Sequence, residues 1–115
     1  FKKVYSSTKI LFSSDLLIKS IYTIDPENQF LGVKIAVAVS KKAGKAVWRN
    51  RIKRLIKESY RLNKHTLLKK VIEKKRCLLI VFSPNKLSES KNNKIYYKDI
   101  YSSVIELINK IEQQI

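Results

Sequence analysis

Hydrophobic positions fall into distinct rhythms along the chain. Phe1, Val4 and Tyr5 recur at i, i+3, i+4, the spacing of one helix face, and predict the end of an amphipathic helix. Residues 16–24 are apolar and β-branched, with Lys19 and Ser20 interrupting, and predict a strand. Asp25-Pro26-Glu27-Asn28 predicts a turn. Residues 31–39 alternate, with Val33, Ile35, Val37 and Val39 on one face and Lys34, Ala36 and Ala38 on the other. Residues 40–45, with Gly44, end that strand. Residues 46–71 lack proline and glycine and predict one long helix. At roughly 100° per residue from Trp48, Ile52, Leu55, Ile56, Ser59, Leu62 and Asn63 fall between about 320° and 80°. Cys77 to Phe82 is an uninterrupted apolar run, the pattern of a buried central strand. Ser83-Pro84-Asn85 stops it, and residues 86–94 form a polar loop. Tyr97, Tyr101, Val104, Ile108, Ile111 and Ile115 step by three and four, predicting a C-terminal helix packed on the sheet. If the first apolar region supplies two strands, the order is α-β-β-β-α-β-α. That order is α+β or α/β, with one sheet covered mainly on one face.

The chain has 115 residues, enough for one domain and one modest core, so residues 1–115 are expected to form a single domain. It opens on Phe1 and not Met, so the N-terminus is expected to have been trimmed. With 25 Lys and Arg against 9 Asp and Glu, the net charge is +16. Between Lys41 and Arg76 lie 15 basic and 2 acidic residues, a net +13, which leaves +3 on the other 79 positions. Solubility does not require that segregation; a polyanionic partner explains it. The other arc of the 46–71 helix, between about 100° and 240°, carries Arg49, Lys53, Arg54, Lys57, Arg61 and Lys64, with Arg51 nearer the core edge. Like charges at i, i+4 cost such a helix a few tenths of a kcal/mol each, which a neutralising ligand would relieve.

Composition also excludes chemistry. One cysteine, Cys77, forms no internal disulfide, which fits a reducing compartment. One histidine, His65, and one cysteine cannot build a Cys/His zinc site and leave little for nucleophilic catalysis. No apolar run approaches the ~20 residues of a membrane span. A basic helix at a membrane surface is a weaker reading, because its apolar arc is needed by the sheet.

The run S-K-K-A-G-K-A-V-W-R-N-R-I-K-R-L-I-K-E-S-Y-R, from Ser40 to Arg61, resembles the signature of the bacterial ribonuclease P protein subunit. The family pattern S-K-K-x-G-N-A-V-x-R-N-R-x-K-R-x-x-R-E-x-F-R is kept at most positions. Lys45 replaces its Asn, Lys57 an Arg and Tyr60 a Phe. The flanks fit as well, in the aromatic start, the alternating strand before the motif and the apolar strand ending near Pro84.

The resemblance implies an α+β fold, an α-β-β-β-α-β-α two-layer sandwich shared with some ribosomal and translation-factor domains, with a left-handed βαβ crossover. It implies a cytoplasmic bacterial protein that binds a catalytic RNA and precursor tRNA, with no membrane and no obligatory protein partner. The RNA would perform the Mg²⁺-dependent removal of the 5′ leader. The Mg²⁺ would be held mainly by RNA, with no catalytic residue and no metal ligand in the protein. Lys41, Lys42, Lys45, Arg49, Asn50, Arg51, Lys53, Arg54, Lys57 and Arg61 would contact the catalytic RNA. Phe1, Tyr5 and Tyr22 would line a cleft for the leader.

The chemistry of these residues agrees. Arginine forks suit phosphate oxygens, lysines add point charges, and Asn50 can bond a 2′-hydroxyl. The helix N-terminus near Ala46 offers amides to a phosphate. Phe1 and Tyr5 suit base stacking and core packing equally. Trp48 and Cys77 read as structural, His65 as a surface residue, Lys69, Lys70, Lys74 and Lys75 as diffuse electrostatics, and Asp99 with Glu106 as non-catalytic. The alternative is a ribosomal or ribosome-assembly protein of the same fold, which explains the charge but not the R-N-R-x-K-R run.

Overall fold

The computed structural model describes residues 8–25, 31–91 and 96–115. The expected N-terminal helix over Phe1, Val4 and Tyr5 lies outside those residues. Among these residues four strands form one sheet: β1 (Lys9–Phe12), β2 (Ile18–Ile24), β3 (Gly32–Val37) and β4 (Cys77–Pro84). Three helices are described, α1 (Ala46–Asn63), α2 (His65–Glu73) and α3 (Tyr97–Gln114), and a 3₁₀ turn, Lys41–Ala43, precedes α1. The α+β reading therefore stands, and the first apolar region does supply two strands.

The sheet runs β1-β2-β4-β3. β4 is central, antiparallel to β2 and parallel to β3, which is why its sequence is apolar from Cys77 to Phe82. The parallel pair is joined through α1 and α2, the crossover that parallel strands require. In register, Tyr22 pairs Ile80, Ser20 pairs Phe82, and Ile35 pairs Ile80, so these residues share the face that the helices cover. Beneath them pack Trp48, Ile52, Ile56 and Tyr60 of α1, Leu67 and Val71 of α2, and Ile100, Val104, Leu107, Ile108 and Ile111 of α3. The other face carries Ile10, Phe12, Ile21, Leu79 and Val81, with Lys19 and Lys34 beside them. Ile10 and Phe12 remain 54% and 43% exposed there.

Leu16, expected inside a strand, instead turns the chain between β1 and β2 at φ 62. Asp15 organises that turn. Burial pushes its carboxyl up, but hydrogen bonds from Ser13, the Leu17 amide and Ser103 outweigh burial and hold it below its ordinary value. Glu106 of α3 pins the same turn by accepting from the Ser14 amide at 2.7 Å and the Ser14 hydroxyl at 2.8 Å.

The long helix expected over 46–71 is two helices that meet at Lys64. Side chains compete for its carbonyls just before the break: Ser59 Oγ donates to Leu55 O and Asn63 Nδ2 donates to Ser59 O. The burial stripe changes with the break. Leu62, expected in the core, is 47% exposed, whereas Tyr60, outside the expected stripe, is 7% exposed and tilted against Phe82 with ring centroids 6.1 Å apart.

α2 ends in a Schellman motif. The Arg76 amide donates to Val71 O and the Lys75 amide to Ile72 O, which puts Lys75 at the left-handed position, φ 53. Glycine is at ease there and lysine is not. Lys75→Gly is expected to stabilise the fold by about 0.5–1 kcal/mol in denaturant melts; an unchanged or lower midpoint would show that the strain is absent.

Burial pushes the Tyr60 hydroxyl up to about 12 from its ordinary 10.0. The unfolded chain releases this proton first. The stabilising contribution is therefore complete below pH 10 and is lost as pH rises through about 12. Wild type and Tyr60→Phe are expected to run parallel in denaturation midpoint below pH 9, with wild type falling more steeply between pH 10 and 12. Parallel curves throughout would contradict this.

Candidate nucleic-acid interface

Packing of the α1 stripe against the sheet decides where its cations go. Asn50, Arg51, Arg54, Lys57 and Arg61 are exposed, and Arg49 and Lys53 are half-buried at the margins of the helix. Lys41, Lys42 and Lys45, on the turn that leads into α1, are exposed as well. The structure thus brings all ten expected RNA-contacting residues onto one helix and its entry.

They are not equivalent. Arg61 is ion-paired to Glu58, with Nη2 and Oε1 2.5 Å apart. The hydrogen bond from Arg61 holds the Glu58 carboxyl below its ordinary range. Glu58 sits with Arg51, Arg54, Lys57 and Arg61 around a shallow hollow of about 550 Å³ on the helix surface. An exposed pair of this kind contributes little to stability, so Arg61 can exchange its carboxylate for a phosphate at small cost. Arg49 folds back, its Nε donating to Gly44 O at 3.1 Å, so it also fixes the entry turn.

A second hollow, about 680 Å³, opens where the parallel strands end. Lys19 of β2, Lys42 of the turn and Lys53 of α1 line it, with Ser40, Ser83 and Asn85. Lys19 is a candidate that the sequence hides. It is an isolated lysine on a strand, and only the β2–β4 register, in which it pairs Ser83, carries it to the motif lysines.

The entry turn is built by close approach. Ser40 Oγ accepts from the Lys42 amide at 3.2 Å. A Cβ at Gly44 would lie 2.8 Å from Glu89 Cβ and 2.8 Å from Trp48 Cε3, so only glycine fits there. Glu89 Oε1 accepts from the Lys45 amide at 2.8 Å, and the Glu89 amide donates to Ala43 O at 2.7 Å. The Lys45 amide, one residue ahead of the helix whose N-terminal amides are expected to face a phosphate, is held by a carboxylate of the protein.

Tyr22 requires a correction. It was expected in a cleft for the leader, yet it lies on the helix-covered face, 3% exposed, with its hydroxyl donating to Gln114 Oε1. Strand parity is the reason: Tyr22 pairs Ile80 and shares its core side, while Ile21 and Thr23 take the other face. Phe1 and Tyr5 lie outside the described residues. Trp48 and Cys77 are buried, and His65 is exposed. Lys70 and Lys74, read from sequence as diffuse charge, have local work: their Nζ atoms donate to Glu112 O and Ile115 O near the end of α3.

A family model described as Ribonuclease P matches residues 1–111. The chain belongs to the ribonuclease P protein family. The ribonuclease P protein component of Clostridium botulinum (strain Langeland) is 40% identical over 110 residues, covering 96% of this chain and 86% of that protein. That of Clostridioides difficile (strain 630) is 33% identical over 112 residues, covering 97% and 85%. Among solved structures, the RNase P protein of Thermotoga maritima matches with a TM-score of 0.72 at 19% identity, over 93% of this chain and 86% of that one. The Staphylococcus aureus RNase P protein matches at 0.68 and 23%, over 96% and 86%. These two likenesses support the fold. Family membership makes the chain a ribonuclease P protein component, with a place in tRNA processing. No described helix is long and apolar enough to cross a membrane.

Proposed function

We propose that the chain is the RNA-binding subunit of a ribonucleoprotein ribonuclease P whose chemistry is performed by RNA. The observation that carries this reading is the partition of α1, with Trp48, Ile52, Ile56 and Tyr60 buried and Arg51, Arg54, Lys57 and Arg61 exposed on the surface they leave. Guanidinium forks and ammonium groups held on a rigid helix neutralise a structured phosphate backbone and release its counterions. In this reading the catalytic RNA lies along α1 and the turn at Lys41, Lys42 and Lys45. Asn50, exposed between two arginines, is placed to bond a 2′-hydroxyl.

The 5′ leader of precursor tRNA falls to Phe1 and Tyr5, just ahead of β1 in sequence, as stacking rings. Such stacking is worth about 1–3 kcal/mol per base and tolerates any sequence, which a processor of many precursors needs. In this reading Mg²⁺ is held mainly by the RNA and its phosphates.

The test is binding to, and precursor cleavage with, the RNA subunit of a clostridial ribonuclease P. Arg54→Gln and Lys57→Gln are each expected to weaken binding about three- to tenfold and to make its salt dependence shallower by about one contact. Cleavage of precursor tRNA is expected only when the RNA subunit is present. Wild-type affinity in both variants would remove this face from the interface, and cleavage by RNA-free protein would overturn the division of labour.

A further inference from the structure

Glu89, on the loop after β4, touches the cationic entry turn. Forty-four positions from Lys45 in sequence, it grips the turn twice: its carboxylate accepts the Lys45 amide at 2.8 Å, and its own amide donates to Ala43 O at 2.7 Å. Its Cβ also closes over Gly44, where an added methyl would meet it at 2.8 Å. The loop is itself anchored at its root, the Asn85 amide donating to Leu17 O at 2.7 Å and the Lys86 amide to Leu16 O at 3.0 Å. Residues 41–45 are thereby tied, through Glu89, to the start of β2.

The placement is electrostatically odd. Glu89 is a carboxylate set amid Lys41, Lys42 and Lys45, on the surface assigned above to RNA. If charge alone mattered there, it would repel phosphate and weaken binding. Its contacts suggest the opposite sign. The turn has little apolar hold: Ala43 is half-buried against the core, and none of Lys41, Lys42 and Ala43 is fully buried. Such a segment depends largely on hydrogen bonds for its order, and ordering it at the moment of binding costs backbone entropy for each residue fixed.

We infer that Glu89 is a positioning residue that pre-orders the Lys41–Lys42–Lys45 turn for RNA, so that this acidic side chain strengthens binding to a polyanion. The inference rests on the RNA-binding reading of α1 and its entry. The carboxylate oxygen supplies an acceptor, which glutamine can also supply; the negative charge itself is dispensable. Reach and charge therefore make opposite predictions for two variants. Glu89→Gln keeps the acceptor at the same distance and removes the charge. Glu89→Ala removes both.

The experiment measures dissociation constants for the RNA subunit of a clostridial ribonuclease P over a range of KCl. It compares wild type, Glu89→Gln, Glu89→Ala and Arg54→Gln, with melting curves and amide exchange at Lys45. Glu89→Gln is expected to bind as tightly as wild type, or up to about threefold more tightly, with the Lys45 amide still protected. Glu89→Ala is expected to bind about tenfold more weakly, with a salt slope shallower by about one contact and fast exchange at Lys45, at an unchanged melting temperature. Affinity in Glu89→Ala equal to or above wild type overturns the inference, leaving Glu89 as a repelling charge. A loss of affinity in Glu89→Gln equal to that in Glu89→Ala also overturns it, since the acceptor would then not be what matters. Should Glu89→Ala lower the melting temperature, Glu89→Asp, which keeps the charge and shortens the reach, takes its place; weaker binding supports positioning and unchanged binding refutes it. Arg54→Gln separates the two levels: if it too binds like wild type, the RNA-binding reading of the face has failed, and not the brace.

Discussion

Burial of Trp48, Ile52, Ile56 and Tyr60 on one side of the sheet fixes how α1 is rotated about its own axis. A helix has a single such degree of freedom, and once the apolar stripe is seated every other side chain has its direction assigned. The cations of the R-N-R-x-K-R run are therefore displayed as a rigid set because their neighbours three and four residues away are locked in the core. The repulsion among Arg49, Lys53 and Lys57 is a few tenths of a kcal/mol per pair, small beside about 1.5–3 kcal/mol for each large apolar side chain buried. Packing wins, and the charged face is held together against its own repulsion.

The few acids show the complementary side of this arrangement. Asp15 and Glu106 are used up inside the nearly neutral part of the chain, closing the β1–β2 turn and tying it to α3. Within the basic third, Glu58 meets Arg61 on the surface. Glu89, reaching in from the loop after β4, meets a backbone amide of the entry turn. Acidic groups at this interface thus act mostly as hydrogen-bond acceptors for structure, which leaves the net field positive toward an RNA.

The sheet adds its own constraint. With the described helices on one side, residues of opposite parity on β2 and β4 have different fates, and a one-residue offset moves a side chain from the helix-covered core to the other face. That is why Tyr22 is packed near Gln114 while Ile21, next to it, is on the open side, and why Lys19 joins Lys42 and Lys53 at the strand ends. A period-two pattern states which residues travel together, but the alternation in residues 16–24 is blurred by Lys19, Ser20 and Thr23, so it does not say which set goes inward.

By itself the sequence determined a mixed α and β order, the central place of the apolar β4, the basic arc of α1 and, through the Ser40–Arg61 run, the family with its α+β class. These are legible because each is a local regularity: a period, a charge count or a contiguous motif. Tertiary structure decided the rest. It split the long helix at Lys64, where the Ser59 and Asn63 side chains take backbone carbonyls; it turned Tyr60 inward and Leu62 outward; it buried Tyr22; and it brought Glu89 onto the Lys45 amide and Lys19 beside Lys53. Each of these depends on which atoms meet across a long loop or a strand pairing. Contacts between distant positions leave no period in a single sequence, and only the packed chain brings their partners within reach.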